Sequence, residues 1–304
     1  MKPFKPRAAE LAAPKQQRNW DWRAAANFIC GGAGGGLLLL VAFAGLDAFA
    51  TRLAVLLGLA LIGCGLTCVW FEIGRPWRAM NVYRHFATSW MTREAVVALA
   101  VFAFGALAVV TGSVVLTMVA GACGLAFLYS QARILGANKG IPAWRHPASV
   151  PLMVATGLAE GAGFITVIAA AVGSGPGDKM LFLLLALLAL RSWCWRRYLA
   201  GLTATGAPVG ALKVLDALNS RFQTYGHGLP AVAIVAMLIG LPGRSLTGLL
   251  TGMLVVAGGW VLKYTLVRRA AFTQGLAVEH LPVRGRGPSG PAVRPGWKML
   301  PGSR

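Results

Sequence analysis

Of 304 residues, 57% are hydrophobic and only 12% charged, with a mean hydropathy of +0.65. A soluble domain carries roughly a quarter charged residues, so this chain has too little polar surface to cover a globule. Its net charge of +20 would point a soluble chain toward nucleic acid, but the Lys and Arg residues lie between apolar runs, which is the pattern of membrane topology and excludes a nucleic-acid partner.

Met1–Asn19 is polar, contains Pro3, Pro6 and Pro14, and is expected to form a disordered basic N-terminal tail. The first apolar run, Ala24–Leu46, has full span length, so a retained helix is expected here and not a cleaved signal. Gly31, Gly32, Gly34, Gly35 and Gly36 crowd this run. They lack the strand–loop–helix context of a phosphate cradle, and their small-xxx-small spacing suits close helix approach. Leu53–Phe71, Ala95–Thr111 and Val114–Leu135 follow, the last two joined by a tight Gly112–Ser113 connection. Ala148–Val172, Met180–Leu190, Leu229–Leu241 and Leu246–Val267 complete the set; Leu229–Leu241 is short enough to be re-entrant or to begin earlier in the chain. Between the sixth and seventh runs, Val209, Leu212, Leu215, Leu218 and Phe222 recur at helical spacing. That pattern fits a helix in the membrane interface or a connecting helix packed on the bundle.

The fold expected is therefore all-α: a polytopic transmembrane bundle of about eight spans with both termini on the same side. Its parts are a tail at 1–19, a membrane domain at 20–269 with an interfacial helix near 208–222, and a basic tail at 270–304. Eight spans leave only Arg52, Lys179 and Arg244, of 29 basic residues, on the opposite face. By the positive-inside rule both termini are then cytoplasmic. The five cysteines, Cys30, Cys64, Cys68, Cys123 and Cys194, form no C-x-x-C pair and are expected to be buried, inert thiols; no metal or ligated cofactor is expected. The histidines His85, His146, His227 and His280 all fall in loops or the tail, which leaves no pair for haem b within the membrane.

Ionisable residues near the membrane carry the functional signal. Glu160 lies near the middle of the fifth run, where a proton relay and a structural hydrogen bond are both open. Glu72 and Glu94 flank the densest polar segment, which includes Arg75, Trp77, Arg78, Asn81, His85 and Trp90. Aromatics beside arginines can form an interfacial belt. The same mixture offers a quinone headgroup an aromatic wall, hydrogen-bond donors for two oxygens and a carboxylate for proton exchange.

The segment EIGRPWRAMNVYRHFATSWMTRE, Glu72–Glu94, resembles the signature of the membrane anchor subunit of dimethyl sulfoxide reductase-type molybdoenzymes. IPAWRHPASVP at Ile141–Pro151 resembles a later loop of that family, Arg269 stands where the family has an arginine near its last helix, and Trp20–Gly36 resembles the related polysulfide reductase-type membrane subunits. The resemblance implies a subunit of the bacterial cytoplasmic (inner) membrane. It would hold a ferredoxin-like four-cluster iron–sulfur subunit and a molybdopterin catalytic subunit, and exchange electrons with menaquinone or ubiquinone as diffusible substrate. Glu94 matches the family's acid, and Arg75, Arg78 and Asn81 fall within its motif, whereas Glu72 replaces the usual histidine. Some similar chains belong to phenylacetyl-CoA:acceptor oxidoreductases, which reduce quinone. A purely structural anchor and a secondary transporter using Glu160 are the rival expectations.

Overall fold

The computed structural model describes residues 13–73, 81–83 and 86–275. The helices are α1 (Trp22–Val41), α2 (Ala48–Glu72), α3 (Trp90–Thr111), α4 (Val114–Gly136), the single turn α5 (Pro142–Arg145), α6 (Ser149–Ala171), α7 (Asp178–Ala204), α8 (Val209–Gln223), α9 (Leu229–Leu238) and α10 (Arg244–Tyr264). Among the described residues the one extended pairing is an isolated antiparallel bridge between Gln16 and Phe272. The chain is thus an all-α polytopic membrane protein. Six of its helices, α1, α2, α3, α4, α6 and α10 with its continuation to Arg269, are long and apolar enough to cross a bilayer.

Helix starts follow local chemistry. Asp47 accepts from the Ala50 N–H, Ser89 from Thr92 N–H and Ser113 from Leu116 N–H, each supplying an acceptor to a first-turn amide that has no helical partner. The α3–α4 connection is as tight as the sequence suggests: Gly112 takes φ +67°, ending α3, and Ser113 caps α4 at once.

The glycine-rich α1 is the hub, packed on α2, α4, α6 and α10. Its glycines serve three neighbours. A β-carbon at Gly34 would lie 2.6 Å from the Gly58 carbonyl oxygen, one at Gly35 2.6 Å from that of Gly124, and one at Gly36 1.9 Å from that of Gly157. Backbones this close exclude any side chain, the reason small residues concentrate at membrane helix contacts. Gly36→Ala should accordingly push α1 off α6 and lower the thermal midpoint of the purified protein, at a cost of about 3 kcal/mol or more. Gly63→Ala is the control, because its new methyl would meet only the Phe102 ring at 3.5 Å. Equal midpoints for both variants would refute the close-approach role.

Of the two alternatives for the seventh run, the earlier start holds: α8 passes through a π turn, Thr224–Gly228, directly into α9, giving one helical run over 209–238. Two expectations need amending. The cysteines are not uniformly buried; Cys194 is, whereas Cys64 is exposed on the outer surface. His227 lies neither in a loop nor in a tail but within that π turn, and it is buried.

The chain before α1 is strapped to the chain after α10. Gln17 N–H donates to Ala271 O at 2.8 Å and Thr273 N–H to Lys15 O at 2.8 Å, while Gln16 Nε2 donates to Arg268 O at 2.8 Å. Residues 15–17 and 271–273 therefore share one end of the bundle, together with the α4–α6 loop, where Gln274 N–H donates to Gly140 O.

Candidate functional site

At that same end, α1, α2, α3 and α4 line a cavity of about 310 Å³, within the roughly 300–1,000 Å³ range of small-molecule sites. Both acids singled out from the sequence, Glu72 at the end of α2 and Glu94 in the first turns of α3, line it. Glu94 is only 6% exposed. Its Oε1 accepts from Asn27 Nδ2 of α1 at 3.4 Å, and Gln131 of α4 donates through Nε2 to the Asn27 carbonyl at 3.0 Å. Gly31 makes room for this cluster: a β-carbon there would sit 2.4 Å from Gln131 Nε2. Asn27 Oδ1 and Gln131 Oε1 have no hydrogen-bond partner among the described residues. Buried acceptors left in this state favour a ligand that carries O–H or N–H donors.

The aromatic side of the cavity comes from the start of the chain. Trp20 lies 5.7 Å from Phe28, both lining the cavity, and its other face stacks on Trp144 at 4.7 Å. Trp144 is buried and donates its indole N–H to Leu266 O at 2.8 Å, so the wall is anchored from behind. Arg268 donates to Trp20 O at 3.0 Å. Asp21 caps α1 by accepting from Arg23 N–H, and the Arg23 guanidinium hydrogen-bonded to it holds its carboxyl below the usual carboxylate range. The Asp21 N–H donates to Glu72 Oε1 at 3.3 Å, tying the cap to the cavity acid.

The other sequence-nominated residues lie elsewhere. Trp90 does not line the cavity; it is held between the guanidiniums of Arg93 at 4.3 Å and Arg133 at 4.7 Å, edge-on to Tyr129 at 5.8 Å. That is a cation–π stack. Asn81 is exposed in a short turn. Arg75, Trp77, Arg78 and His85 fall outside the described residues. Glu160 sits apart from the cavity, fully buried, with Oε2 2.5 Å from Lys263 Nζ.

That pair belongs to a second polar cluster, which adds Arg191 and His227 to Glu160 and Lys263. Lys263 reaches across Gly32, where a β-carbon would sit 2.4 Å from Nζ, and Glu160 fills the space over Gly259. Arg191, also fully buried, donates to Gly226 O, to Val255 O at 3.1 Å and through Nε to His227 Nε2 at 3.1 Å. Pro230 has no N–H, so the carbonyl four residues before it, Gly226, lacks its α-helical donor; Arg191 supplies one. The His227 Nδ1–H donates to Phe222 O at 3.0 Å, fixing the tautomer that accepts from Arg191. One signal could have found Asn27, Gln131, Lys263 and Arg191: each is a polar side chain inside or bordering an apolar run, where it is costly unless paired.

A polytopic helical bundle with a buried acid beside a cavity at one end defines a membrane protein with a candidate small-molecule site. Residues 27–195 match the family described as DMSO reductase anchor subunit (DmsC), and because the match spans more than half of the chain, the protein belongs to that family. It is a membrane-embedded anchor subunit. A comparison with curated proteins gave no match.

Proposed function

We propose that this anchor subunit is also quinone-reactive, exchanging electrons between the quinone pool and an iron–sulfur partner that is joined to a molybdopterin catalytic subunit. The observation that carries the reading is the cavity shared by Glu72 and Glu94. A quinol headgroup there would lie against Trp20 and Phe28 and donate to the unpartnered acceptor of Asn27. Glu94 would take its proton in exchange with Glu72, and Arg75 and Arg78 of the adjoining segment would orient the head. The cavity volume, the aromatic wall and the orphaned acceptor all favour a flat, hydrogen-bonding ring over a purely structural role.

The same proposal places the chain in the bacterial inner membrane with eight crossings. The two beyond the six apolar helices are α7 and the 209–238 run. The basic end that carries the cavity then faces the cytoplasm, and the redox partner docks there. Binding of a fluorescent quinone analogue to the purified complex tests the site. Saturable quenching, lost on Phe28→Ala and unaffected by Trp90→Ala, is the expected outcome. No saturable binding would leave a structural anchor.

A further inference from the structure

A second cavity, of about 380 Å³, opens outward between the 209–238 helical run and α10. Its lining is mostly apolar; the polar side chains are Tyr225, Thr265 and the exposed Arg221 and Arg269. Among the described residues neither guanidinium enters an ion pair or side-chain hydrogen bond. Helical rise puts Arg269 roughly 16 Å along the axis from Gly258 on the groove floor. The floor is low because Gly226 and Gly258 face each other, with a β-carbon at Gly258 falling 3.1 Å from Gly226 Cα. Arg191 lies just beneath, its Nη2 within 4 Å of where either glycine's β-carbon would be. The groove is therefore a narrow, mainly apolar trough, lined by two cations that are unpaired among the described residues and with a buried third under its floor.

We propose that this groove binds one anionic phospholipid, its phosphate between Arg221 and Arg269 and an acyl chain along the floor. An acyl chain matches the apolar, side-chain-poor trough. Basic pockets at the membrane boundary between helices attract anionic headgroups in this way. A zwitterionic lipid brings its own cation to the mouth and is disfavoured. The site is distinct from the Glu72–Glu94 cavity, which is lined by other helices, so it stands or falls independently of the quinone reading.

Native mass spectrometry of the full chain in its detergent-purified complex, titrated with phosphatidylglycerol or phosphatidylcholine, tests this. One phosphatidylglycerol should be retained preferentially, and the Arg221→Gln/Arg269→Gln double variant should lower its occupancy by about an order of magnitude. Ala257→Phe, which leaves both arginines in place and fills the trough from the lipid side, should lower it as well. This variant decides the matter if the double variant is not recovered folded. Equal retention of both lipids, unchanged retention in the variants, displacement by inorganic phosphate alone, or displacement by a quinone analogue would each overturn the proposal.

Discussion

Replacing Glu94 with glutamine should reduce quinone-coupled turnover of the assembled complex by roughly 10²–10⁴-fold, the usual worth of a positioned proton-transfer group. Turnover with an artificial dye that delivers electrons directly to the partner subunits should be unaffected. The substitution keeps the shape of the side chain and an oxygen to accept from Asn27 Nδ2, so the α1–α3 contact survives. What it removes is the capacity to hold the proton released when a quinol ring is oxidised. Glu72→Gln should lose less, because that carboxylate already accepts from the Asp21 N–H at the start of α1 and lies toward the mouth of the cavity. Asn27→Ala should raise KM more than it lowers kcat, as expected for a group that binds the ring without exchanging its proton. Normal quinone turnover in the Glu94 variant would sink the site assignment outright.

How far the sequence announced this arrangement depends on which physical signal each feature leaves. Apolar run length and loop charge are properties of the chain itself, so the all-α bundle and the Gly112–Ser113 junction are legible directly. Glu72 and Glu94 stood out because an acid beside an apolar run is costly, and they do share a cavity. Trp90 is close to Glu94 in sequence, yet α3 lines the cavity through Met91 and Glu94, while the Trp90 ring packs against the guanidiniums of Arg93 and Arg133. Trp20, distant in sequence from Glu94, is brought in by the strap between residues 15–17 and 271–273. Strap pairing and the partners of buried charges are tertiary facts. Nothing at Glu160 signals Lys263, 103 positions later, and nothing at Arg191 signals that Pro230 leaves it a carbonyl. At 209–238 the sequence leaves a re-entrant segment and an earlier start both open; the helix does begin earlier, because the π turn absorbs the missing proline donor and lets it continue.

Lys263→Ala should be strongly destabilising, at about 3–5 kcal/mol, because it strands Glu160 at zero exposure without its ion-pair partner. Glu160→Leu should do comparable damage by stranding Lys263, whose remaining hydrogen bond among the described residues is to Ile29 O at 3.4 Å. The double variant Glu160→Leu/Lys263→Met replaces both charges with apolar groups of similar bulk and should regain most of the loss, since removing a buried pair whole relieves the desolvation of both ions. Thermal unfolding of the detergent-solubilised complex reads all three. The same double variant separates a structural bolt from a proton relay at Glu160. The pair joins α6 to α10 and touches α1 at Gly32, one residue on from the Gly31 side that receives Gln131 and the Glu94 cluster. Two adjacent glycines thus let two buried polar clusters approach one helix without contact between them. A bolt predicts that the restabilised double variant keeps quinone-coupled turnover. Loss of that turnover at restored stability would transfer the proton route to Glu160 and make α1 the partition that route must cross.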